Sequence, residues 1–219
     1  MVEAVNYQPL SGDNIAGNVN LQEYYLQGSI YDSYVDKLRE RLQGLCDNVE
    51  PTTFTDHERT YYLKNPLSQA PPIVVKTCKS IIQPNTPWQM KYVGSTDGPR
   101  DKSTLIRSSV TVATSTDPGK FLEDLGFQMQ FEITLNGFFY RKGNMKITVA
   151  KIAGPHQNPG NEAVAGKDSY IVEISALATP RDESVGNEIR LFASHLKPII
   201  SLDKIDPRRL QQPQQTMYG

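Results

Sequence analysis

Residues 125–151, LGFQMQFEITLNGFFYRKGNMKITVAK, constrain this chain more than any other stretch. Asn136-Gly137 and Gly143-Asn144 are two-residue hairpin sequences set between runs of aromatic and β-branched residues, and they predict a three-stranded antiparallel meander. Such turns set a register in which Leu135 faces Phe138, Ile133 faces Tyr140, Tyr140 faces Ile147 and Phe138 faces Val149. Side chains alternate, so Phe127, Met129, Phe131, Ile133, Leu135, Phe138, Tyr140, Met145, Ile147 and Val149 share one face, the expected core, with Gln, Glu, Thr, Arg and Lys on the other. Neither face gathers carboxylates, imidazoles or thiols. Phe139 alone breaks the polar face, beside Arg141 and Lys146. A lone surface aromatic, or one covered by a helix of the same chain, is the simpler account; a contact to another protein is the other, and Phe139 is the candidate partner-binding residue.

The rest of the chain reads as strands with few helices. After a strand-like run, LQEYYLQGSI, Asp32 or Ser33 caps a helix whose Val35, Leu38, Leu42 and Leu45 form a stripe. Extended runs follow near Phe54 to Leu63, Ile73 to Ile81, Trp88 to Val93 and Thr104 to Thr114, separated by Pro- and Gly-bearing loops. Asp117-Pro118 opens a short helix that Gly126 ends. Beyond the meander come a strand over Tyr170 to Ala178 and a helix with Val185, Ile189, Phe192, Ala193 and Leu196 on one face. About eight antiparallel strands need closed or covered edges, which predicts a mainly β (α+β) fold, an antiparallel β-barrel with flanking helices. A two-layer packing of sheet and helix is the alternative. The expected plan is a single barrel domain over 20–210 with helices about 32–46, 117–125 and 184–197, a disordered N-terminal segment over 1–19 and a flexible Gln-rich tail over 211–219.

Composition excludes several classes. A formal net charge of -1 lacks the basic balance of a nucleic-acid or anionic-membrane protein, and Lys76, Lys79, Lys91, Arg107, Arg141 and Lys146 read as scattered. Two cysteines, Cys46 and Cys78, and no Asn-x-Ser/Thr acceptor point to a reducing compartment. No run approaches the roughly 20 apolar residues of a membrane helix. Catalytic signatures fail on their residues. His57-Glu58 starts like a zinc-protease helix but has Tyr61 where the second ligand belongs, and Gly160 to Lys167 has one residue too many for a phosphate loop, with Asp168 in place of Ser or Thr. His57, His156 and His195 have no common metal spacing. No catalytic, cofactor-binding or metal-ligating residue is assigned.

Several long segments, in order, carry a resemblance: LQEYYLQGSIYDSYVDKLRERLQGLCDNVEPTTFTDHE, TPWQMKYVG, DPGKFLEDLGF, FFYRKGNMKITVAKI and LKPIISLDKIDPRRL. Over about residues 20–210 the chain resembles the family of subunit 18 of the Mediator complex of RNA polymerase II transcription. The resemblance implies a helix-flanked antiparallel barrel and a nuclear, non-catalytic coactivator subunit of the Mediator head module. It also implies a heterodimer with Mediator subunit 20, a bound C-terminal helix of subunit 8 and contacts to other head-module subunits. RNA polymerase II and initiation factors would be reached indirectly, with no sequence-specific nucleic acid, no membrane and no cofactor. That barrel is similar in shape to triphosphate-tunnel enzymes, so a metal-dependent phosphohydrolase is the rival reading. Such enzymes need alternating inward glutamates, whereas here Tyr25 stands where a second acid would follow Glu23 and a late strand offers only Glu173. The meander predicts an apolar lumen, in which a hydrated cation would be strongly disfavoured; the same bulk argues against a small-molecule carrier.

Overall fold

Alternation along eight strands decides how the molecule is layered. The computed structural model describes residues 21–47, 50–64, 67, 70–97, 103–154 and 168–205. The strands are β1 (Gln22–Tyr31), β2 (Thr52–Leu63), β3 (Ile73–Ser80), β4 (Trp88–Asp97), β5 (Leu105–Thr114), β6 (Gln128–Lys142), β7 (Met145–Ala153) and β8 (Ser169–Ala178). They close into an antiparallel barrel in the order β1-β5-β4-β3-β2-β6-β7-β8. Among the described residues three α-helices lie outside it: α1 (Val35–Leu45), which a 3-10 turn over Asp32–Tyr34 precedes, α2 (Gly119–Asp124) and α3 (Glu183–His195).

The main apolar core lies outside the barrel wall. Outward-pointing Tyr24, Leu26 and Ile30 of β1, Phe138 and Tyr140 of β6, Ile147 and Val149 of β7, and Val172, Ile174 and Ala176 of β8 are all buried. They pack in one cluster with Val35, Leu38 and Leu42 of α1 and Ile189, Phe192 and Ala193 of α3. Burial of this face is the principal drive for the helices to dock. Beyond α3 the chain crosses β1 with Leu196, Ile200 and Leu202 in the same cluster, and Gln27 and Asp203 exchange backbone hydrogen bonds. Gly28 permits the crossing, since a Cβ there would lie 2.6 Å from the Ser201 carbonyl oxygen. A smaller cluster joins Leu122 of α2 to Tyr61 and Val75. The Asp117 carboxylate accepts from the Gly119 N–H at 2.8 Å, and that of Asp182 caps α3 by accepting from the Ser184 N–H.

The expected hairpin at Asn136-Gly137 does not form. β6 runs through it unbroken, with Asn136 opposite Thr55 on one side and Lys151 on the other. Gly137 serves instead where β7 comes closest, because a Cβ would sit 2.1 Å from the Val149 carbonyl oxygen; glycine within a strand marks such an approach as readily as a turn. The consequence is a change of face. Phe131, Ile133 and Leu135 point opposite to Phe138 and Tyr140, and Phe131 is 45% and Met129 48% exposed, so neither belongs to the core. The second turn does form: Lys142 faces Met145, Tyr140 faces Ile147 and Phe138 faces Val149, with Gly143 at φ 54. Residues 1–19 and 211–219, His156 and the run from Gly160 to Lys167 lie outside the described residues.

Candidate functional site

The wall turns its larger apolar face outward and sends most of its charged side chains to the lumen, where Tyr25, Leu105, Ile133 and Leu135 accompany them. Strand alternation sends inward Glu23 of β1, Asp56 and Glu58 of β2, Lys76 of β3, Lys91 of β4, Arg107 of β5, Arg141 of β6, Lys146 of β7 and Glu173 of β8. The expectation of a wholly apolar lumen is therefore overturned: Phe131, Ile133 and Leu135 do face it, opposite Thr60, Glu58 and Asp56, but Phe138 and Tyr140, which a turn at Asn136-Gly137 would put on that same face, point outward. Cations far apart in sequence are thereby gathered; Lys79 alone of the six points outward.

Glu23 is the hub of this lumen. Lys91 Nζ donates to both its carboxylate oxygens at 3.1 Å, reaching past β5 to do so, and Arg107 Nε donates to Oε2 at 2.7 Å. Burial alone would raise the Glu23 carboxyl, but the Arg107 and Lys91 charges outweigh it and hold it below its ordinary range. The Arg107 guanidinium also stacks 4.1 Å from the centre of the Tyr25 ring, so the residue at the second-acid position supports a cation. Gln27 Nε2 donates to Glu173 at 2.6 Å, and Lys76 pairs with Glu58 at 2.7 Å. Among the described residues no group of three or more His, Cys, Asp or Glu is arranged to hold a metal ion. His57 points outward to Glu132 at 3.2 Å, and His195 ends α3. Burial pushes the Cys46 thiol up to about 11 and that of Cys78 to about 12, which keeps both protonated and poorly nucleophilic.

Phe139 lies on the lumen side near the mouth, half-buried. Its ring is 6.3 Å from that of Phe54, with Lys146 Nζ at 4.5 Å and the Arg141 guanidinium at 5.6 Å from its centre. The cations expected beside it are there, but in a walled, solvent-accessible space rather than on an outer face.

Outside, the helices leave one arc of wall uncovered. On β4 and β5 the outward positions are Trp88, Met90, Tyr92 and Gly94, and Ser108, Val110, Val112 and Thr114, with Met90 opposite Val112 and Tyr92 opposite Val110. None is charged. Tyr92 is 40%, Val110 57% and Val112 43% exposed, where an uncovered antiparallel face is ordinarily polar. Moreover, β5 pairs with β1 only from Leu105 to Ser108, so among the described residues its edge is open from Ser109 to Thr114. A second feature is a cleft of about 240 Å³ beside α1, lined by Arg39, Thr53, Phe54, Ile82, Phe138 and Tyr170 among others; Arg39 lies over the Phe138 ring at 4.6 Å. The sequence held the signal for the bare wall in the alternation of WQMKY and SVTV, whose apolar members point outward only because the barrel is inverted.

Comparison with known proteins gives the following. The pattern of the family described as "Med18 protein" matches residues 22–212. The Mediator of RNA polymerase II transcription subunit 18 of Xenopus tropicalis is 42% identical over 212 residues, covering 94% of this chain and 97% of that protein. The Drosophila melanogaster subunit 18 is 41% identical over 194 residues, covering 86% and 88%. Among solved structures, a chain of the Schizosaccharomyces pombe Mediator head module superposes with a TM-score of 0.67 at 17% identity, covering 84% of this chain and 98% of that one. The Mimivirus capping enzyme triphosphatase superposes at 0.51 with 8% identity over 83% of this chain and 91% of that one, a likeness of fold alone.

Proposed function

The chain belongs to the Mediator subunit 18 family, and we propose that it acts as a non-catalytic architectural subunit of the nuclear Mediator head module, joining its neighbours through the bare wall of β4 and β5 and the cleft beside α1. The observation that carries this reading is the uncharged, uncovered wall. Elsewhere the same wall is dry beneath α1 and α3; on β4 and β5 it presents an apolar patch of the kind that marks a protein contact. An open strand edge beside it adds a second means of attachment, by backbone pairing.

Subunit 20, the partner barrel that the family resemblance implies, is assigned to this wall. Sheet faces pack at about 10 Å with interleaved side chains, and Tyr92 is the large anchor such an interface needs. The C-terminal helix of subunit 8 is assigned to the cleft beside α1, where the Phe138 edge and Ile82 offer apolar contacts and Arg39 a cation. Phe139 is reachable through the lumen mouth and is the proposed contact residue there. Contacts to RNA polymerase II and initiation factors would then pass through the assembled head module.

The lumen supports the absence of catalysis. A metal-dependent phosphohydrolase would have to free Glu23 from Lys91 and Arg107, and a divalent cation entering there would meet both positive charges at close range. The test is size-exclusion chromatography of the chain coexpressed with subunit 20 and the C-terminal segment of subunit 8. A single three-component peak is expected, and a chain eluting alone would overturn the reading.

A further inference from the structure

Among the described residues the strands turn five cations and four carboxylates into the lumen. Lys76, Lys91, Arg107, Arg141 and Lys146 face Glu23, Asp56, Glu58 and Glu173 across it. Glu23 answers Lys91 and Arg107, Glu58 answers Lys76, Glu173 is engaged by Gln27 at 2.6 Å and lies 3.9 Å from Arg107, and Asp56 acts on Lys146 through space without pairing with it. Lys146 is different. Among the described residues its ammonium makes no hydrogen bond and no ion pair, and its contact is the Phe139 ring. Charges on four other strands act on it: Arg141 of β6, Glu173 of β8, Asp56 of β2 and Lys91 of β4. Its strand position, opposite Arg141, sends it to the lumen side at the mouth, where the side chain stays accessible to water. Desolvation first, and Arg141 next, hold it below the usual lysine range.

We propose that Lys146, seated on Phe139, is an anion site at the lumen mouth that takes a single carboxylate, the acidic side chain of a partner segment entering the barrel. Charge decides the ligand class. One negative charge neutralises the surplus; a polyphosphate would bring several and meet Glu23, Asp56, Glu58 and Glu173 within the same walls. A lysine is a compact point charge suited to one oxyanion, and three rotatable donors let it follow the ligand. An eight-stranded barrel of this kind has room for one small group, and Phe139 beside the ammonium excludes water on one side, which strengthens the pairing. The inference rests on the interaction-subunit reading for the source of the carboxylate, while the site itself is tested without any partner.

The experiment is a titration of the full chain, carrying ¹³C-labelled lysine, with sodium acetate and separately with inorganic tripolyphosphate at matched ionic strength, following the Lys146 Cε signal. Acetate is expected to displace that signal saturably and to raise the pH at which Lys146 titrates. Lys146→Ala supplies the assignment, and Lys146→Arg is expected to retain acetate-dependent shifts at Phe139. Equal small shifts at every lysine would mean ionic strength alone and would overturn the site. Tripolyphosphate binding about tenfold more tightly than acetate would overturn the single-charge assignment. Failure of the three-component assembly would count against the proposed function and leave this titration unchanged, so the two failures are distinguishable.

Discussion

Glu23 and Arg107 face one another on adjacent strands, and Arg107 Nε donates to the Glu23 carboxylate at 2.7 Å with both side chains largely shielded from water. Lys91 completes the arrangement from the strand beyond. Removing one partner of a buried group of charges leaves the others without an answer, which is more damaging than the pair is stabilising. Glu23→Gln is therefore expected to destabilise the fold by about 3 kcal/mol, read as a lower urea midpoint. An unchanged midpoint would mean that water, not Glu23, satisfies Lys91 and Arg107.

The same carboxylate sets an acid limit. Its folded-state affinity for a proton is weaker than in the unfolded chain, so protons favour unfolding. The Glu23 contribution is whole above pH ~4.3, near the ordinary glutamate value, and is lost as pH falls through the lower folded value. Unfolding midpoints from pH 7 downward should drop in that window for the native chain and show a smaller drop in Glu23→Gln. Parallel curves would assign the acid limb to other carboxylates.

Two phenylalanines of one strand should behave oppositely. Phe138 is 4% exposed beneath α1, whereas Phe131 is 45% exposed. Phe138→Ala is expected to cost about 3–5 kcal/mol and Phe131→Ala less than about 1 kcal/mol. Equal losses in denaturant unfolding would contradict the continuous strand.

Gly137→Ala tests why glycine is there. Its Cβ would meet the Val149 carbonyl oxygen and the Ala150 Cα, so β6 and β7 would have to separate, at a cost of about 3 kcal/mol. Gly143→Ala meets no neighbour but keeps φ 54, and its expected cost is about 1 kcal/mol. The opposite ranking would restore the turn reading of Asn136-Gly137.

Val110→Asp together with Val112→Asp should leave the thermal midpoint near that of the native chain, both side chains being exposed, yet remove subunit 20 from the coexpressed complex. Retention of subunit 20 with both aspartates in place would move its contact off the β4 and β5 wall.

Much of this architecture was legible before any coordinates. The helical stripe of Val35, Leu38 and Leu42, the Gly143-Asn144 turn and the strand runs obey local rules that tertiary context left alone. Asn136-Gly137 did not, because a turn signal and a close-approach glycine look identical in sequence, and only the pairing of β6 with both β2 and β7 distinguishes them. That one position carried the error about the lumen. Alternation shows that a strand has an apolar and a polar side; whether the apolar side lies inside a barrel depends on helices packed from elsewhere in the chain. Phe139 stands among cations for that reason, on the side that a turn at Asn136-Gly137 makes an outer face, while the gathering of Lys76, Lys91, Arg107 and Lys146 needs the closed order of strands and has no local signature.

An inside-out barrel also changes what a folding intermediate can be. An ordinary barrel closes around its own greasy interior and can persist without its peripheral helices. Here the sheet alone would offer water the side chains that α1 and α3 conceal, and the charges among what it enclosed would resist collapse. Strands and helices must therefore condense together. The minimal autonomous piece includes Leu196 to Leu202 as much as any strand, and shortening the chain before Leu202 should yield aggregate rather than a smaller barrel.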